Sequence, residues 1–414
     1  MTSLSVVIPA YNEERGIAAI MQRVLAIRED LTQVGIEELE LLVVDDGSKD
    51  QTAQVATDLA HNEQGVRLIQ HQHNRGYGAA LKTGFSNAKG DLIGFLDADG
   101  TYPPEFFPQL CNAAINGSDL VIGSRMSGTE SKMPLTRKVG NLFFASLLTL
   151  IGRQHVSDSA SGMRVFKRQV LERIYPLPDG LNLTPVMSTR AIHEGIRMTE
   201  VPIPYEERMG NSKLSVVRDG SIFLQSIIWT VLMYNPVRIL GMVGLGGVVV
   251  AMLVGLGLVI ARLSGITELG PWGVAALFAA LVSGVTGISI FALGSTFNYL
   301  VSLFYKIPIK QGLFDWPLLN NLDRSFGWLG MVGLLIGIAL GLVSVVLGVN
   351  GWEIARLWLY LLGSALFILV GVQLIIYWVL ISILGELSQR EELTKRDLGE
   401  TFTPSFEKII PVGD

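Results

Sequence analysis

Charge is what this sequence has least of. Only 17% of its 414 residues are Asp, Glu, Lys or Arg, against roughly 25% in soluble proteins, and mean hydropathy is +0.43. The deficit is one-sided. Residues 1–220 hold 22 Lys/Arg and 26 Asp/Glu, whereas the other 194 hold 10 and 11. So charge-poor a half cannot be the surface of a soluble domain. Cysteine is nearly absent too: Cys111 stands alone, which excludes an internal disulfide and fits a reducing compartment. The five histidines are scattered without ligand spacing, so zinc is not expected. A Gly-rich P-loop and a G-x-G-x-x-G after the first strand are both missing, which counts against kinases and dinucleotide enzymes. A net charge of −5 argues against a nucleic-acid partner.

Four long stretches lack charge altogether: 239–261, 269–305, 325–352 and 357–385, with lengths of 23, 37, 28 and 29 residues. Each exceeds the ~20 residues a helix needs to cross hydrocarbon. Four transmembrane helices are expected, at about 239–261, 272–298, 327–349 and 357–385. A buried bundle in water would need polar outer faces, which these runs lack. Gly333, Gly337 and Gly341 form a small-residue stripe that permits close helix packing. Four crossings put both termini on one side. Basic residues collect there (Arg218, Arg238, Lys306, Lys310, Arg324, Arg390, Lys395, Arg396, Lys408), and the opposite loops hold Arg262 and Arg356. By the positive-inside rule the first 220 residues and the tail are cytoplasmic. Pro9 and a polar stretch at the N-terminus do not have a signal-peptide layout.

In the charge-rich half, LSVVIP at 4–9, LELLVV at 39–44, VRLI at 66–69 and LIGFL at 92–96 read as short buried strands. Ile17, Ile20, Met21, Val24 and Leu25 share one helical face, and 51–60 and 78–88 also suit helices. This alternation predicts an α/β fold with a parallel, doubly wound sheet. Ligands of such sheets sit beyond the carboxyl ends of the strands. The polar clusters lie there: Pro9 to Glu14, Asp45-Asp46-Gly47-Ser48, and Asp97-Ala98-Asp99. Asp97 and Asp99 alternate around a small residue, so both carboxylates can reach one hard cation, Mg²⁺ or Mn²⁺, of the kind that suits a diphosphate.

VVIPAYNEE at 6–14, VVDDGSKD at 43–50 and GDLIGFLDADGTYPPE at 90–105 together resemble an inverting family 2 glycosyltransferase of the GT-A fold. VIGSRM at 121–126, SDSASGMRVFKR at 157–168 and EERMGNSKL at 206–214 resemble the polyprenyl-phosphate glycosyltransferases, the group of dolichol-phosphate mannose synthase. The resemblance covers about residues 4–220. It implies that Pro9, Tyr11, Glu13, Val44 and Asp46 hold the base and ribose of a sugar nucleotide. Asp97 and Asp99 would hold the metal on the diphosphate, and Ala98 between them would contact the sugar nucleotide. Arg125, Arg208 and Lys213 would contact phosphates, and Arg137 would help seat the lipid phosphate. Ser161, Gly162 and Arg164 match a Ser-Gly-aromatic-Arg signature, with Met163 replacing the usual Phe, and Ser161 and Arg164, like Arg125, Arg208 and Lys213, are expected at the lipid phosphate. Thr101 stands where the mannose synthases often carry a Gln that completes the metal site.

The chemistry sets what the second half of the site needs. Cations stabilise charge developing on the leaving diphosphate. An acceptor hydroxyl needs a general base, whereas a phosphate monoester, whose second proton leaves near pH ~6, does not. Arg125, Arg137, Lys138, Arg164, Lys167, Arg168, Arg208 and Lys213 supply cations; about half should be surface charges, Lys167 and Arg168 first. Asp158 is the candidate base if the acceptor is a hydroxyl. The uncharged stretch at 139–152 is too short to span; a membrane-interface helix and a core helix are both open for it. Residues 221–236 are expected to form a juxtamembrane interfacial helix.

The expected organisation is therefore a GT-A domain over 1–220, the interfacial helix over 221–236, a transmembrane domain over 237–386 and a cytoplasmic tail over 387–414. The expected reaction moves one hexose from a nucleoside-diphosphate sugar to a polyprenyl phosphate, at a membrane, by a protein compatible with a homo-oligomer. Two alternatives stay open. One is a family 2 glycolipid or polysaccharide synthase with a hydroxyl acceptor, although its usual Gln-x-x-Arg-Trp signature is missing. The other is a non-catalytic lipid-sugar flippase.

Overall fold

The computed structural model describes residues 2–126, 135–152, 156–206, 216–305, 322–353 and 356–397. It divides into two compact units, Met1–Val231 and Leu232–Asp414. In chain order the first unit holds β1 (Thr2–Ala10), α1 (Ile17–Ala26), α2 (Arg28–Gln33), β2 (Ile36–Asp45), α3 (Thr52–Asn62), β3 (Val66–Gln70), α4 (Tyr77–Asn87) and β4 (Leu92–Phe95). There follow α5 (Phe107–Ile115), β5 (Leu120–Ser124), α6 (Leu135–Gly152), β6 (Arg164–Lys167), α7 (Val170–Ile174), α8 (Leu183–His193), β7 (Met198–Pro202) and α9 (Val216–Tyr234).

Seven strands make one sheet in the order β3-β2-β1-β4-β6-β5-β7. β1 shows why it sits in the middle. Its apolar run is buried on both faces, as in a strand covered by helices above and below. Leu4, Val6 and Ile8 join Ile17, Ile20 and Met21 of α1 and Leu110 of α5 in one core. Val7 points the other way, to a second core with Leu81 and Phe85 of α4 and Met187 of α8. The sheet is therefore doubly wound, as expected. It is not wholly parallel: β6 runs antiparallel to both β4 and β5. The chain leaves β5, forms α6 and re-enters the sheet from the carboxyl edge, so the strand it then lays down points backwards. β5, β6 and β7 were not among the strands expected from sequence.

The second unit consists of α10 (Pro236–Leu263), α11 (Pro271–Tyr305), α12 (Leu322–Val349) and α13 (Trp358–Asp397). Each contains a stretch long and apolar enough to cross a membrane: Pro236–Leu263, Pro271–Val301, Ser325–Val349 and Trp358–Leu387. Gly333, Gly337 and Gly341 all face α13: a methyl on Gly337 would stand 2.7 Å from the Ile368 backbone nitrogen. Asn235 separates α9 from α10.

Candidate active site

A cavity of about 500 Å³ opens at the carboxyl ends of β1, β2 and β4, within the first unit. Of the residues singled out in the sequence, Pro9, Tyr11, Glu13, Asp46, Asp97, Ala98, Asp99, Thr101, Arg125 and Gly162 line it. Two loops are locked together at its rim. Asn12, whose backbone is left-handed at φ 53°, takes a hydrogen bond on Oδ1 from the Lys49 N–H (2.9 Å) and gives its own N–H to Ser48 Oγ (2.9 Å). Asn tolerates that conformation far better than a bulky residue. Val44 is different: its side chain is fully buried in the second core and does not line the cavity.

Asp46 is buried and held from several directions. Oδ1 accepts the Arg75 N–H (2.9 Å) and lies 2.7 Å from His71 Nδ1, and Oδ2 accepts the Gly76 N–H (2.8 Å). His71 Nε2 is in turn 2.9 Å from Thr83 Oγ1 on α4. Gly76 is obligatory for this grip, because at φ 104° a Cβ would also stand 2.6 Å from the Asp179 carbonyl oxygen.

Asp97 and Asp99 follow β4. Tyr77 Oη donates to Asp97 Oδ1 (2.8 Å); burial first, and then the Asp97 charge, push the Tyr77 phenol well above its ordinary range, so it stays a proton donor. Asp99 Oδ1 accepts the Thr101 N–H (3.1 Å) and hydroxyl (2.6 Å). Thr101, the departure noted in the sequence, thus serves to fix Asp99. Gly162 packs against Asp97 so closely that a Cβ would lie 2.5 Å from Oδ2. Its N–H donates to Tyr102 Oη at 2.7 Å.

The remaining signature residues behave differently from expectation. Ser161 is fully buried and gives its hydroxyl to the Gly123 carbonyl (2.6 Å). Arg164 is also fully buried, donating to the carbonyls of Ser161 and Ser159 (3.1 and 2.7 Å). Burial pulls its pKa down to about 10. Neither lines the cavity; together with Gly162 they form the floor under Asp97. Asp158 is likewise at 0% exposure and engaged by Arg125 through Nε, Nη2 and the backbone N–H, at 2.7, 2.7 and 3.0 Å. Burial opposes its ionisation, but the Arg125 guanidinium overrides that and holds the carboxyl below the usual range. This geometry suits a carboxylate that aims Arg125, not a base that faces an acceptor. Arg125 sits between Tyr102 and Tyr205, its Cζ 5.6 Å from each ring centre, a cation–π arrangement. Arg208 and Lys213 lie outside the described residues, and of Arg137 only the backbone, in the first turn of α6, is described. Lys138 is exposed; Lys167 pairs with Asp119 (2.9 Å) and Arg168 binds the Gly90 carbonyl.

Sequence reasoning missed the apolar part of the lining. Phe144 of α6, Leu181 and Phe223 of α9 face the same cavity as the carboxylates, together with Tyr205 and Asp219. Phe144 and Phe223 contact each other, ring centres 6.0 Å apart. No spacing rule could have joined residues so far apart in the chain. On α6, Ala145 and Leu148 are buried while Leu135, Val139, Leu142 and Phe143 are exposed.

Comparison with known proteins gives a family. Residues 5–175 match the model described as glycosyl transferase family 2, and residues 236–395 match a domain of unknown function. The undecaprenyl-phosphate 4-deoxy-4-formamido-L-arabinose transferase of Photorhabdus laumondii is 30% identical over 314 residues, 75% of this chain and 92% of that one. A match of 314 residues is longer than the first unit, so it runs on into the apolar helices. The dolichyl-phosphate hexose transferase of Haloferax volcanii is 31% identical over 225 residues, 54% of this chain and 92% of that one. Among solved structures, glucosyl-3-phosphoglycerate synthase from Mycobacterium tuberculosis, in complex with Mn²⁺, UDP and phosphoglyceric acid, is similar at a TM-score of 0.44. It is 21% identical over 56% of this chain and 78% of that one.

Proposed function

This chain belongs to the family 2 polyprenyl-phosphate glycosyltransferases, and we propose that it moves one hexose, with inversion, from a nucleoside-diphosphate sugar to a polyprenyl phosphate at the cytoplasmic membrane face. The observation that carries this reading is the mixed lining of one cavity: Asp46, Asp97, Asp99 and Arg125 share it with Phe144, Leu181 and Phe223. A water-soluble anionic donor and an apolar acceptor both find matching surface there.

The geometry supports the roles that the family resemblance implies. Tyr11 and Asp46 take the nucleoside. Asp97 and Asp99 form a set of hard oxygen donors that fits Mg²⁺ or Mn²⁺, with the other positions left to diphosphate oxygens and water. Such a cation, when bound, supplies Lewis-acid stabilisation of the leaving diphosphate. Tyr77 and Thr101 keep the two carboxylates in place before substrate arrives. Because Asp158 occupies Nε and Nη2 of Arg125, the Nη1 edge is left for a phosphate oxygen. Phe144 and Phe223 exclude water around the reacting groups, which strengthens every electrostatic contact among them. A phosphate acceptor is already deprotonated near neutral pH, so a base in the place of Asp158 is not required.

The test is direct. Full-length protein with undecaprenyl phosphate and labelled UDP- and GDP-hexoses should give one sugar per lipid, only with Mg²⁺ or Mn²⁺. Asp99→Asn should cut kcat by roughly 10²-fold or more. A polymeric product, or full activity of that variant, overturns the reading.

A further inference from the structure

His71 is a histidine with a buried side chain that the reaction outlined above leaves unused. It follows β3, its side chain is 5% exposed, and it touches the 4% exposed carboxylate of Asp46. A carboxylate only accepts, so Nδ1 carries a proton and donates to Oδ1, and Nε2 lies 2.9 Å from the Thr83 hydroxyl oxygen. Thr83 stands on α4, so the ring is fixed at both nitrogens between two elements.

The consequence lies in the count of acceptor positions. A carboxylate offers about four lone-pair sites. On Asp46, Oδ1 receives two donors, Arg75 N–H and His71 Nδ1–H, and Oδ2 receives one, Gly76 N–H. Among the described residues no other donor reaches Asp46, so one site remains, on Oδ2, and Asp46 lines the cavity with Tyr11. Nucleobases differ in what they bring to such a site. Uracil presents a single imino N–H between two carbonyls. Guanine presents N1–H and the adjacent N2 amine, a two-donor edge that needs both carboxylate oxygens. With Oδ1 already saturated, guanine would bury an amine donor without an acceptor, a loss that sites built on hydrogen bonding punish strongly.

We propose that His71 is a specificity-determining residue: by saturating Oδ1 it turns Asp46 into a single-site acceptor that selects a uridine over a guanosine diphosphate sugar. The inference rests on the reading of Asp46 as the nucleobase contact in a nucleoside-diphosphate-sugar transferase. His71 does not touch the nucleotide; it acts through Asp46.

Calorimetric titration of the full-length detergent-solubilised protein with UDP and with GDP, each in the presence of Mg²⁺, tests it. The wild type should bind UDP at least about tenfold more tightly than GDP. His71→Ala frees Oδ1, and the ratio should collapse to within about twofold. His71→Asn places an N–H where Nδ1 stood and should restore the preference, while His71→Gln, whose amide reaches the Nε2 position, should not. A mere loss of local packing would weaken both ligands alike and leave their ratio intact. A wild type that prefers GDP or binds both equally, or an alanine variant that keeps the full preference, overturns the proposal and leaves the transfer reaction untouched. Failure of both diphosphates to bind overturns it together with the nucleoside-diphosphate reading.

Discussion

At Gly162 a single methyl group decides the geometry of the acidic pair. A Cβ there would stand 2.5 Å from Asp97 Oδ2 and 2.8 Å from its Cγ, closer than real contacts allow. Below it lies Arg164, fully buried and tied to two carbonyls, so the floor cannot drop. The carboxylate must move instead. Gly162→Ala should therefore lower kcat by about 10²-fold, the usual scale for a misplacement near 1 Å. The cost in stability should be smaller, about 1–3 kcal/mol from overpacking. Steady-state kinetics beside thermal melting would check this; an active Gly162→Ala enzyme would refute the tight packing under Asp97. The same residues show where sequence reading reaches its limit. Asp46, Asp97, Asp99 and Tyr11 were legible because strand ends converge in a doubly wound sheet. Ser161 and Arg164 were legible as a motif but not as a floor, since burial is a property of the packed chain. His71 carried no signal at all, because its partners Asp46 and Thr83 are neighbours only in space.

Helix α6 illustrates the next scale. Its composition left two readings open, and the structure buries one face of it and leaves the other exposed. Asn141, Ala145 and Leu148 are buried against the domain, and Leu135, Val139, Leu142 and Phe143 lie outward. Those four recur at helical spacing and form a continuous apolar stripe, a surface that soluble proteins rarely leave uncovered. A lipid interface gives it a counterpart, and Phe144, next in sequence, lines the cavity. Leu142→Glu should then reduce transfer to a long-chain acceptor in vesicles by about tenfold, since burying one leucine is worth about 1.5–3 kcal/mol. Transfer to a short, water-soluble polyprenyl phosphate should stay unchanged. Equal loss with both acceptors would place Leu142 in the domain's own packing. Among the elements, β1 to β4 were readable as short, largely apolar runs. β5, β6 and β7 were not: β5, though buried, was not read from its sequence, β6 has four residues that begin with the buried Arg164, and β7 has no fully buried residue and so no clear pattern.

The whole molecule joins two solvents, and its membrane half was the more legible one because hydrocarbon thickness alone fixes the length of a crossing. The charge-free runs locate the helices but not their ends, since α13 continues to Asp397, well past the last uncharged position. Orientation follows from charge and from number. If all four helices cross, the chain returns to its starting side, and the positive-inside rule would make that side, where the basic residues collect, the cytoplasmic one. The loops after α10 and α12 should then face outward, with Glu268 and Glu353 exposed in them. The protein carries its own silent background for this experiment. Its single cysteine, Cys111, is buried and its thiol is pushed up to about 12 by that burial, so almost no reactive thiolate exists near neutral pH. In intact cells a membrane-impermeant maleimide should label Glu268→Cys and Glu353→Cys, and should label Glu63→Cys, on the surface of the first unit, only after permeabilisation. Labelling of Glu63→Cys in intact cells would invert the orientation. It would also put the Asp46–Asp97–Asp99 cavity out of reach of cytoplasmic sugar nucleotides, so the proposed reaction stands or falls with this topology.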